Sequence, residues 1–144
     1  MARRITAEEL APYCGPSAVA SALGISKLDA ARRILDARKM LRSRIRGRGW
    51  STITEIAHVC GLRRVVRVFL SPDEHGAGPS YRQRYARTPR MRCPTVVQWL
   101  RTNPHREAIV LASHHFMHVR NGEIIEANGR AVRRGRVTHV VYLD

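Results

Sequence analysis

The residue best placed to do chemistry in this sequence is Cys14. It precedes Gly15-Pro16-Ser17 and the small, mostly apolar run 18–23. Gly15 loosens the backbone, Pro16 carries the fixed φ that suits a first helical turn, and Gly24 can supply a left-handed C-cap. The stretch therefore predicts a helix with Cys14 at its N-terminus. There, unpaired N–H groups and the helix dipole favour a thiolate nucleophile and can later hold a developing oxyanion. The plainer reading is a small buried cysteine that happens to precede a helix.

A thiolate nucleophile needs a base, and the late segment His114-His115-Phe116-Met117-His118-Val119-Arg120 offers imidazoles ahead of Asn121-Gly122, a strong hairpin signal. With Asn121 and Gly122 as the two loop residues, Arg120 faces Glu123 and His115 faces Asn128. Alternation then places His115, Met117 and Val119 on one face with Ile124, Glu126 and Asn128. An amide opposite, or a carboxylate on the diagonal, can hold an imidazole in one tautomer, so Asn128 and Glu126 are both candidates to orient His115. A hydrogen-bonded structural His115 is the alternative. Clustered histidines also suit a metal, but His114 and His118 fall on the other face with Phe116, where Glu123 is the one carboxylate. Metal is the weaker reading, and no cofactor is implied.

The elements that must position these residues follow from pattern. Residues 5–12 form a polar lead-in with one helical turn begun at Thr6. After the Cys14 helix, Ser26-x-x-Asp29 resembles a capping box, and Leu28, Ala31, Ile34 and Leu35 recur at helical spacing. A basic loop with two glycines follows through 42–49. A helix begins near Ser51 or Thr52, with the box Thr52-x-x-Glu55, and ends at Gly61, which makes Cys60 a core residue. The Val-rich run 64–70 reads as a strand. Residues 71–92, rich in proline, glycine and charge, read as a surface loop or lid. A short helix over 95–100 precedes strands at 107–113, 114–120, 123–128 and 137–143. Helices first and antiparallel strands after predict a single α+β domain over 1–144.

Composition narrows the classes. A chain of 144 residues suits one domain with a real core. No apolar run approaches a membrane span and no signal peptide is visible, so no membrane partner is expected and the expected compartment is cytoplasmic. Cys14, Cys60 and Cys93 form no C-x-x-C pair, which argues against a disulfide framework and a Cys-rich zinc site. The net charge is +15, and the 26 cationic side chains are all arginine except Lys27 and Lys39. That balance permits weak contact with nucleic acid or another polyanion through the Arg-rich loops. The arginines are scattered and rarely interleaved with aromatics, so a solvated basic surface accounts for most of them.

The order of parts, a cysteine at an early helix N-terminus and a histidine on a late strand, resembles the papain-like cysteine peptidases. Cys14-Gly15-Pro16-Ser17-Ala18-Val19-Ala20 with Leu23-Gly24 is similar to the opening of papain-like and bacteriocin-leader-type cysteine peptidases. The layout as a whole is similar to small papain-like proteins of phages and prophages, where a Ser-Gly-His-x-x-x-Val-x-Asn/Asp-Gly hairpin matches 113–122. The resemblance implies a papain-like fold and hydrolysis of a peptide bond by Cys14 and His115. It also implies a peptide or protein substrate, and an origin in phage or host cytoplasm with phage structural proteins as partners. Two positions depart from the pattern. The family's acidic residue falls at Glu126, whereas hairpin geometry and the papain-type Asn favour Asn128. The oxyanion-hole Gln position holds Glu8, a carboxylate with no donor when ionised. An inactive papain-like assembly protein and a plain nucleic-acid-binding module are the competing readings.

Overall fold

A computed structural model describes residues 4–42, 50–61, 65–67 and 93–144, with 65–67 described in backbone alone. The 71–92 loop, most of the basic loop at 42–49 and the ends of the 64–70 run lie outside the described residues. The fold is α+β. Helices α1 (Ala7–Leu10), α2 (Cys14–Leu23), α3 (Lys27–Leu41) and α4 (Ile53–Val59) come first, then the short strand β1 (Val65–Arg67). Helix α5 (Val96–Thr102) leads into β2 (Glu107–Ala112), β3 (His115–Arg120), β4 (Glu123–Glu126) and β5 (Val137–Tyr142). All pairings are antiparallel, in the order β1-β5-β2-β3-β4.

The helix starts are set by local chemistry. Thr6, Thr52 and Thr95 each cap their helix and close a reciprocal box with Glu9, Glu55 and Gln98. Ser26 caps α3 through the Asp29 N–H, and Gly24 ends α2 at φ +67°. Gly15 has a different task from the one its sequence context suggests. It lies inside α2, and a methyl at its Cα would overlap Ser51 Oγ and come within 2.7 Å of Ser51 Cβ. Close approach, not backbone freedom, requires glycine there.

The central strands are buried on both faces, which is why β2 reads as a continuous apolar run. Ile109, Phe116 and Val141 pack with Leu10, Val19, Ile34 and Ile56 of the helical layer. Their neighbours Val110, Met117 and Val140 point the other way, onto Val96 and Trp99 of α5. The two-residue alternation divides one sheet between two cores.

Helix α2 is tied to the sheet by polar contacts as well as packing. Ser17 Oγ donates to Glu126 Oε1 at 2.5 Å, and Ser21 Oγ lies 2.7 Å from His118 Nδ1. His118 is 1 % exposed, and its Nε2 stands 3.5 Å from Glu107 Oε2. Burial pushes the His118 pKa below its ordinary value near 6.5, helped by Arg120 and opposed by Glu107 and Glu126. The unfolded chain then takes up the proton first as pH falls. The contribution to stability is complete above about pH 6.5 and is lost as pH drops through the lower folded value. Urea midpoints of the wild type are therefore expected to fall between pH 7 and 5 more steeply than those of His118→Gln. Parallel slopes would refute the assignment.

Candidate active site

The Cys14 end of α2 opens on a cleft of about 490 Å³ whose walls include Cys14, His115, Asn128, Ser51 and Trp50. Ser21 lies against His118 of β3 and Ser17 against Glu126, the partner of His118 on β4, so α2 crosses these two strands. Its Cys14 end and the first residue of β3, His115, both line the cleft.

Cys14 occupies the first helical position and is partly exposed. Tyr13, the N-cap, makes no side-chain cap, and Pro16 has no N–H. Among the described residues the Cys14 and Gly15 N–H groups have no acceptor, while the Ser17 N–H bonds to the Tyr13 carbonyl at 3.2 Å. Two backbone donors are left at the helix mouth.

His115 begins β3 after a two-residue turn in which Ser113 and His114 both take left-handed backbone, at φ +50° and +60°. That conformation costs about 1–2 kcal/mol for a residue bearing a Cβ, and it is held by the paired strands on either side. His115 Nε2 lies 2.6 Å from the Ala127 carbonyl oxygen. A carbonyl only accepts, so Nε2 carries the proton and the neutral ring keeps Nδ1 as its basic atom. Cys14 and His115 share the cleft but are not hydrogen-bonded to each other in this structure.

The expected orientation of His115 by Asn128 or Glu126 is corrected here. Arg120 does pair with Glu123 and Val119 with Ile124, but a bulge follows and His118 pairs with Glu126. The extra residue, Ile125, shifts everything beyond it by one place. Glu126 therefore turns toward α2 and accepts from Ser17 instead of sharing the His115 face. Asn128 lies past the end of β4 at φ +53° and lines the cleft. Its Nδ2 donates to the Pro12 carbonyl at 3.0 Å, joining the His115 side of the cleft to the segment that leads into Cys14. Neither side chain holds the ring. The group that does is a main-chain carbonyl.

Two wall residues escaped the sequence reading. Ser51 Oγ is buried without a hydrogen-bond partner among the described residues, against Gly15 at the helix mouth. Trp50 is 52 % exposed and stands 6.4 Å from Tyr13, centroid to centroid. Both read as ordinary loop residues until α4 is folded against α2; for Ser51 the glycine at position 15 is the one trace. Glu8 is exposed on α1 and does not line the cleft. Comparison with known proteins finds no family model, characterised protein or solved structure that matches this chain.

Proposed function

We propose that the protein is a papain-like cysteine hydrolase that cleaves an amide bond, most simply a peptide bond. The observation that carries this reading is the convergence of Cys14, at a helix N-terminus, and His115, held as the Nε2–H tautomer, on one cleft. Nδ1 takes the Cys14 proton once substrate draws the two together; such bonds often tighten only in the bound state. The thiolate attacks the carbonyl carbon, and the new oxyanion is met by the unpaired N–H groups of Cys14 and Gly15. The C–N bond then breaks as the imidazolium returns its proton to the departing amine, leaving a thioester on Cys14. Water, deprotonated by His115, hydrolyses the thioester, frees the carboxylate product and restores the thiol. With these backbone donors at the helix mouth, the mechanism makes no demand on Glu8.

The test is iodoacetamide alkylation followed site by site, by peptide mass mapping, in the wild type and in His115→Ala. Cys14 is expected to label much faster than the buried Cys60 and Cys93 below pH 7, and to lose that advantage in His115→Ala. Labelling of Cys14 at the rate of an ordinary thiol, unchanged by the substitution, would overturn the reading.

A further inference from the structure

The catalytic cleft does not end at Asn128. Arg130 lines it and also lines a second groove of about 340 Å³, whose walls are 130–135 and include Arg133 and Arg134. All three arginines are exposed, and among the described residues none has a carboxylate partner. No acidic residue occurs between Glu126 and Asp144. Arg136, by contrast, is committed to the Cys93 carbonyl at 3.0 Å. The cleft also has an apolar and aromatic wall, to which Tyr13, Trp50 and Ile53 contribute. Cleft and groove, which share Arg130, thus form a channel with both apolar, aromatic walls and cationic ones, and Cys14 and His115 are among the residues that line it.

We propose that this channel takes a polypeptide with an apolar or aromatic residue before the scissile bond and carboxylates after it, the latter gripped by Arg130, Arg133 and Arg134. The chain direction rests on the hydrolase reading. His115 protonates the departing amine, so the residues C-terminal to the cleaved bond leave on the His115 side. Arg130 follows closely on Ala127, the residue that holds His115. A peptide suits the channel better than a nucleic acid. The basic groove has Ala131 and Val132 where base stacking would need aromatic faces, and it leads into a cleft with a nucleophile. Free guanidinium forks match carboxylates in pairs.

The experiment uses the full chain carrying Cys14→Ala, so that binding is read without turnover. Fluorescein-labelled Ala-Phe-Gly-Glu-Glu-Glu, its Gln counterpart and an oligothymidylate are titrated at low and moderate salt. The Glu peptide is expected to bind about tenfold more tightly than the Gln peptide, an advantage that salt erodes. Arg130→Ala/Arg133→Ala/Arg134→Ala should abolish the difference, and the single exposed change Arg133→Glu should bring the two peptides close to level. Equal binding of both peptides, an advantage that survives the triple substitution, or tighter binding of the oligonucleotide through the same arginines would each overturn the proposal. Failure here is separable from failure of the hydrolase reading. Cleavage of Glu and Gln peptides with equal efficiency by the wild type would refute the acidic preference alone. Acid-selective binding by a chain whose Cys14 labels as an ordinary thiol would refute the hydrolase alone.

Discussion

In Cys14→Ala and in His115→Ala, kcat/KM for a cleaved peptide is expected to fall by about four orders of magnitude or more, and the double variant should be little worse than either. A nucleophile and its base act as a unit, so removing one discards most of what the pair supplies; what survives is oxyanion stabilisation and binding. The informative comparison is Asn128→Ala. If the amide side chain oriented His115, its loss would approach that of His115→Ala. In this structure the ring is instead held by the Ala127 carbonyl at 2.6 Å, and Asn128 ties the turn to Pro12. Asn128→Ala is therefore expected to cost about tenfold, the scale of a lost positioning contact. Steady-state kinetics on the three variants decide the matter. A thousandfold loss in Asn128→Ala would return the orienting role to the amide, and full activity in Cys14→Ala would end the mechanism.

That comparison also marks where sequence reasoning stops. The helix at Cys14, the box at Thr52, the short helix over 95–100 and the Asn121-Gly122 turn were legible because each is a local rule about caps, φ or periodicity. The α+β class followed from their order. The bulge at Ile125 was not legible. A one-residue slip leaves Arg120 facing Glu123 as expected and changes only what lies beyond it, so Glu126 changes face with no mark in the sequence. A carbonyl that orients an imidazole has no sequence signature either, since every residue has one. Ser51 is a non-local case: its proximity to Gly15 depends on how α4 docks on α2.

Helix α4 is also tied to α3 by a buried ion pair, whose loss has the second large effect. Arg38 on α3 grips Glu55 on α4 with both ends of its fork, Nε to Oε2 at 2.8 Å and Nη2 to Oε1 at 3.1 Å. The side chains are 8 % and 0 % exposed. Arg38 Nη2 also donates to the Trp50 carbonyl at 3.2 Å, and Glu55 Oε1 accepts the Thr52 N–H at 2.9 Å. Removing either partner leaves a charge enclosed without its counter-ion, so Arg38→Ala and Glu55→Ala are each expected to cost about 3–5 kcal/mol. The pair itself contributes far less than that, because its attraction mainly offsets the desolvation of two ions. Arg38→Met/Glu55→Leu should therefore be more stable than either single variant, with a residual loss of about 1 kcal/mol from the broken capping box at Thr52. Urea denaturation with unchanged m-values checks the order. A double variant less stable than both singles would show that the pair gives net stabilisation. The same lever reaches the site: Arg38 fixes Trp50, and Trp50 and Ser51 form the wall facing Cys14. The double variant, folded but without that guanidinium, is expected to raise KM for an aromatic-containing peptide more than it lowers kcat. A change in kcat alone would mean that the wall serves the oxyanion and not the substrate side chain.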